Sequence, residues 1–366
     1  QQSMVKFGAR VFRVYVRRLS TRSKLMSAED AVRWIKSGDA ITVSGFVSQG
    51  GPEQILAALG KRFKETKTPD KLTLVVGAAV GDSKTKGINH IAQDGMLKRV
   101  VGAHFALCPE LVKICQSEKV EAYSFPLGSI SRMLRAAATR SPGHITTVGF
   151  GTLVDPKMGG GKMNKFTTED LVLEIEVLGQ KYLIYKAIPI NVAIIRGTTA
   201  DPQGNITMER ESLYADNLVQ AMAARASGGK VIAQVSRMAV AGTLDPRKVR
   251  IPGTLVDGVV LADPASHHMS YLTEYSAGHA GEVQVPVTLR AELDERKVIA
   301  RRALLEVRPG DVVNTGIGLP DGVATAAEEE GVRDRFTLTT EPGVHGGVGA
   351  SGLDFGAAVN YHALIE

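Results

Sequence analysis

One succession of residues occurs twice in this chain, and it limits the fold more than any other feature. Early stands Gly38-Asp39-Ala40-Ile41, then Gly45-Phe46, then Pro52-Glu53-Gln54-Ile55. Late stands Gly310-Asp311-Val312-Val313, then Gly316-Ile317-Gly318, then Pro320-Asp321-Gly322-Val323. Each follows an amphipathic stretch (residues 28–36 and 297–306), so each reads as helix, Gly-Asp turn, strand, glycine loop and Pro-started helix. Two copies of one motif imply two units of related architecture; chance likeness between βα units is the other reading. Ser27-Ala28-Glu29-Asp30 resembles a capping box for the first helix, and Gly38 ends it. Further strands are predicted at 72–76, 192–195, 231–235 and 259–261, with a helix near 216–224. Strands alternating with helices predict an α/β fold with mostly parallel sheets.

A chain of 366 residues is too long for one ordinary core. The expected division is a basic extension at 1–25, a first unit at 26–285, and the beginning of a second unit at 286–366. Gln2-Ser3-Met4 resembles the scar of a removed tag. The second copy has only the residues up to Glu366 in which to build a core, too few to match the first. The expectation is therefore a cut chain, or a remaining C-terminal segment present as a second chain.

The net charge of +6 would suggest nucleic acid until its source is located. Lys6, Arg10, Arg13, Arg17, Arg18, Arg22 and Lys24 stand in the first 28 residues with no acid among them; without these seven, 37 basic residues face 38 acidic ones. The body is neutral, which argues against a nucleic-acid face. The Arg-rich, acid-free leader resembles an organellar presequence; the plainer readings are a bacterial N-terminal arm, or an upstream extension of a gene starting at Met26. Cytoplasmic location is expected, with the mitochondrial matrix as the alternative if 4–25 is a presequence. No apolar run approaches the roughly 20 residues of a membrane span. Cys108 and Cys115 suit neither a disulfide framework nor a common zinc spacing, which points to a reducing compartment.

Two segments could carry chemistry. Phe336-Thr337-Leu338-Thr339-Thr340-Glu341-Pro342-Gly343 brings a carboxylate to the end of a strand, where ligands bind in open α/β sheets. Taken bare, a Glu before Pro-Gly is more often a turn residue than a catalyst. Asn314-Thr315-Gly316-Ile317-Gly318-Leu319-Pro320-Asp321 is a strand-to-helix loop suited to an anion or thioester, and equally to a plain tight connection. Asp321 stands where a dinucleotide fingerprint needs its third glycine. The histidines form no metal-spaced cluster, and no nucleophile elbow accompanies His345-Gly346-Gly347.

Together with Gly149-Phe150-Gly151-Thr152-Leu153-Val154-Asp155-Pro156, Asp201-Pro202-Gln203-Gly204-Asn205 and Arg301-Arg302-Ala303-Leu304, these stretches resemble the family I coenzyme A transferases, of the single-chain propionate/acetate type, from about Met26 onward. The resemblance implies a pair of related α/β domains with the active site between them, and makes Glu341 the catalytic glutamate. It implies a ping-pong reaction on acyl-CoA and short-chain carboxylates, with coenzyme A as substrate and transient glutamyl-CoA thioester and no tightly bound cofactor or metal. It further implies a homo-oligomer without nucleic-acid or membrane partners. Gly316, Ile317, Gly318, Leu319 and Pro320 fall on a segment that contacts CoA, and Gly346 and Gly347 on the acyl pocket. Leu127 stands where family members commonly carry a Gln whose side chain is an oxyanion donor. The second donor, a glycine N–H downstream of the glutamate, falls beyond Glu366. Each lost donor is worth roughly 3–4 kcal/mol. Alternatives on the same scaffold are an acyl-CoA hydrolase or a non-catalytic CoA-binding or assembly protein.

Overall fold

The computed structural model describes residues 23–287 and 291–365. The basic leader lies almost wholly outside those residues. Its last members are built into the sheet: Lys24 Nζ donates to Gly253 O (2.6 Å) and Val256 O (2.8 Å), and Leu25 begins an edge strand.

The strands β1 (Leu25–Met26), β2 (Ala40–Val43), β3 (Leu72–Val75), β4 (Leu97–Gly102), β5 (Glu121–Ser124), β6 (Val192–Ala200), β7 (Lys230–Met238) and β8 (Gly258–Leu261) form a parallel path. Their spatial order is β1-β8-β7-β6-β2-β3-β4-β5. Ile206–Thr207 adds an antiparallel pairing to β6 and carries Val249–Ile251 beyond it. The expected α/β class with a mostly parallel sheet is what the chain adopts.

A parallel sheet covered on both faces needs strands that are apolar throughout. All nine positions of β6 are buried. Leu74 packs on the face that carries α1 (Ala28–Val32), α2 (Glu53–Thr66) and α3 (Pro109–Gln116). Its neighbour Val75 points to the other face, under α4 (Leu127–Ala138) and α5 (Asn217–Ala226), as the two-residue period of a strand requires. Chain order runs outward one way from β2 to β5 and the other way from β6, so β2 and β6 flank a topological switch point, beyond whose carboxyl edge ligands bind.

A smaller core follows, built by α6 (Glu295–Leu304), β9 (Val312–Asn314), α7 (Gly322–Glu329) and β10 (Thr337–Thr340) around Leu304, Ala326, Ala327, Phe336 and Leu338. The internal echo is reproduced at the level of single hydrogen bonds. Asp39 Oδ2 accepts from Lys36 N at 2.8 Å, and Asp311 Oδ2 from Arg308 N at 2.8 Å. Asp39 O accepts from Thr73 N and Asp311 O from Thr337 N, both at 2.9 Å. Gly38 and Gly310 have φ of +84° and +88°. In both copies the strand after the turn pairs in parallel with the strand after the next helix.

The two cores meet through an apolar seam in which Phe46, Val47, Ala78 and Leu213 pack with Val344, Phe355 and Ala358. An antiparallel sheet of Gly143–Thr146, Gln180–Lys186 and Val172–Val177, which the sequence reading had not anticipated, flanks the larger unit. No helix among the described residues is long and apolar enough to cross a membrane. Cys108 and Cys115 are free and buried, and burial pushes their thiols up to about 12 and about 11.

Candidate active site

The carboxylate of Glu341 is placed by a three-residue hairpin loop. Thr340 pairs with β11 (Val344–His345) through Val344, leaving Glu341-Pro342-Gly343 as the turn. β11 in turn pairs with β12 (Ala363–Leu364). Gly343 has φ +99°, the left-handed position that such loops assign to glycine. Its N–H donates to Thr340 O (3.2 Å), and its carbonyl accepts from Ile365 N (3.0 Å). Thr340 is itself fixed, its hydroxyl donating to Gly356 O at 2.7 Å. The turn is therefore held while the Glu341 side chain stays exposed.

Glu341 faces a crevice of about 410 Å³ between the two cores. One wall is Asn314, Thr339, Pro342 and His345. The other comes from segments just past the carboxyl ends of neighbouring strands: Gly45 and Phe46 after β2, Gly77 and Ala78 after β3, and Leu127 after β5. Ser131, Asp216 and Gln220 complete it. This is the switch-point edge of the larger sheet, where the fold leaves room for a ligand.

The glycine loop after β2 is fixed from behind by a buried ion pair. Arg196 Nε meets Glu211 Oε2 at 2.9 Å, and Arg196 Nη1 donates to Gly51 O at 3.1 Å. Burial alone would raise the Glu211 pKa, but the Arg196 charge and the His267 hydrogen bond outweigh it and hold the carboxyl down to about 2. A charge pair so buried is costly to break, since either partner alone would be an uncompensated charge.

Of the sequence-derived candidates, Glu341 and Leu127 are brought together on this crevice. Leu127 is the first residue of α4, after Pro126, so its side chain forms apolar wall. Gly316, Ile317, Gly318, Leu319 and Pro320 are not on the crevice. They run from β9 into a short turn of helix, with Ile317 56% and Leu319 43% exposed. Gly318 N donates to Asp321 Oδ2 at 3.2 Å, and Gly318 and Leu319 line a separate groove of about 170 Å³ against α6. Gly346 and Gly347 also lie off the crevice: a Cβ at 346 would meet His362 Nδ1 at 2.6 Å, and one at 347 would meet Val359 O at 2.2 Å. Their smallness serves packing.

The sequence reading missed Ser131, Asp216 and Gln220. A lone Asp ahead of an apolar helical run signals a cap, and nothing nearby marks it as a crevice residue. Among the described residues no cluster of His, Cys, Asp and Glu could hold a metal ion.

The family model described as coenzyme A transferase matches residues 25–262. The caffeate CoA-transferase of Acetobacterium woodii is 41% identical over 94% of this chain and 66% of its own length. The acetate CoA-transferase YdiF of Escherichia coli K12 is 38% identical over 95% of this chain and 66% of its own. The crystal structure of the acyl-CoA transferase YdiF of E. coli O157:H7 as a thioester complex with CoA superposes with a TM-score of 0.87 at 37% identity, covering 94% of this chain and 65% of that one. The chain thus spans 66% of the length of each of these two relatives.

Proposed function

The chain belongs to the coenzyme A transferase family, and from that premise we propose that it moves coenzyme A between small carboxylic acids, with Glu341 as the covalent carrier. The observation that carries this reading is a carboxylate on the first residue of a pinned hairpin turn, exposed to a crevice at the switch-point edge of a parallel sheet. A carboxylate can act as a nucleophile and form a covalent intermediate.

Glu341 adds to the acyl-CoA carbonyl, expelling CoA thiolate and leaving an acyl-glutamyl anhydride. The thiolate adds to the glutamyl carbonyl, releasing the first acid and leaving a glutamyl-CoA thioester. A second acid reverses both steps. Each transfer needs the reacting atoms held about 3–3.5 Å apart, which a turn fixed by Thr340 and Ile365 favours over a mobile loop. Coenzyme A is then substrate and transient adduct, not a resident group. The names of the relatives support acids such as acetate or caffeate as the class, and a crevice of about 410 Å³ suits small acids. In this reading the units 26–285 and 286–366 each supply one wall of the site.

The test is CoA exchange between acetyl-CoA and propionate by Glu341→Gln and Glu341→Ala proteins. Both are expected to fall by at least about 10³-fold, because the nucleophile is gone. Either variant retaining a tenth of the wild-type rate would remove Glu341 from the reaction.

A further inference from the structure

Glu341 is not the only carboxyl on the crevice. Asp216 stands on the opposite wall, immediately before α5. It has φ +58°, and Ala215 before it has φ +47°, so two consecutive non-glycine residues hold the left-handed conformation. Such strain persists only where the surroundings fix it, and it clusters at working sites. Asp216 occupies the cap position of α5, but its side chain makes no capping bond. Instead Oδ2 accepts the Ser131 hydroxyl at 2.5 Å. Ser131 follows Leu127 by one turn of α4 and shares its face. A Cβ at Gly77 would lie 3.8 Å from Asp216 Oδ2 and 3.7 Å from Leu127 Cγ, which sets the carboxyl beside the end of β3.

The charges around it are few. Among the described residues that line the crevice there is no Lys or Arg; the other titratable groups are Glu341 and His345, both across from Asp216. Arg135, one turn beyond Ser131 on α4, is the charge on its own side that acts on it. Burial raises the Asp216 carboxyl above the usual carboxylate range, and this outweighs the Ser131 hydroxyl and the Arg135 charge, which both lower it. An acid arriving as an anion next to Glu341 would raise it further, since like charges at close range disfavour ionisation.

We propose that Asp216 works as a neutral carboxylic acid, donating a hydrogen bond to the carboxylate of the acceptor acid and so aligning that acid against Glu341. This rests on the transferase reading and deepens it: one acceptor oxygen forms the new bond while the other takes the Asp216 O–H. Hydrogen bonds from a neutral donor to a carboxylate are short and about twice as strong as those between neutral groups. No covalent bond to Asp216 forms or breaks.

The experiment measures KM for acetate from about pH 6 to about pH 9 in wild type, Asp216→Asn, Asp216→Ala and Ser131→Ala, alongside formation of the Glu341 adduct from acetyl-CoA alone. With propionyl-CoA as donor, the wild-type acetate KM rises roughly tenfold per pH unit once Asp216 ionises, while the propionyl-CoA KM does not. Asp216→Asn keeps an N–H donor and cannot ionise, so its acetate KM stays within about threefold of the low-pH value and is flat. Asp216→Ala raises acetate KM by about tenfold or more at every pH. Ser131→Ala moves the rise to higher pH, because the hydroxyl that favours the anion is gone. A flat wild-type profile, the same profile in wild type and Asp216→Asn, or Asn as weak as Ala overturns the proposal. Should the Ala protein not fold, the wild-type and Asn profiles decide alone. Loss of the adduct from acetyl-CoA would instead strike the transferase reading, since no acceptor is present in that arm.

Discussion

At position 343 the conformation and the space both exclude a side chain. The φ is +99°, and a Cβ would come within 2.3 Å of Ile365 O, a contact that backbone cannot yield to without moving the strand end. Gly343→Ala is therefore expected to cost about 1–3 kcal/mol of stability. It should also lower kcat about 10²-fold by shifting Glu341, since misplacement by roughly 1 Å costs that much. Denaturant midpoints with turnover at saturating substrate check both, and a variant with wild-type kcat would mean that the hairpin does not position the carboxylate. The same turn was legible in the sequence, where a Thr-rich strand running into Glu-Pro-Gly announces a strand end with an acid on it; the catalytic role expected of Glu341 came from the family resemblance. Asp216 was not legible, because the Ser131 hydroxyl and the close approach of Gly77 that set its carboxyl on the crevice are gathered only in the folded chain.

Elements are where the reading of the sequence held best, and its errors have physical causes. The strand at 40–43 coincides with β2, but the stretch expected to stop at 195 runs to Ala200. A charged side chain at 196 interrupts the apolar run, and in the fold Glu211 neutralises it and lets the strand continue. The helix expected over 28–36 is α-helical only to Val32, after which Trp34 and Ile35 bond three residues back, a tighter winding. Nor could sequence show how the two units are fastened. Asp354 Oδ2 accepts from Thr273 Oγ1 at 2.7 Å, its other oxygen takes the Ser270 hydroxyl, and its backbone carbonyl accepts from Gln49 Nε2 at 2.7 Å. Replacing Asp354 by Ala takes the acceptor from the hydroxyls of buried Ser270 and half-buried Thr273 and is expected to cost about 1–3 kcal/mol, with Asp354→Asn losing less. Equilibrium unfolding measures this; no change would mean that the latch contributes nothing to holding the units together.

On the scale of the whole molecule, the repeated turn, the apolar seam of Phe46, Val47, Val344 and Phe355 and the position of Glu341 belong to one arrangement. Two α/β units of unequal size set their strand ends towards a shared crevice, and each contributes a carboxyl to it. The smaller unit brings Glu341, the proposed nucleophile, and the larger brings Asp216, the proposed hydrogen-bond donor, on a wall whose described lining residues include no Lys or Arg. The central claim is that coenzyme A rides on the protein between two acids. Peptide mass spectrometry after incubation with acetyl-CoA tests it most directly: the peptide carrying Glu341 is expected to gain the mass of coenzyme A less water and to release the coenzyme A on hydroxylamine treatment, leaving a hydroxamate. Turnover with no adduct at all, or with the adduct on a different residue, would contradict the account.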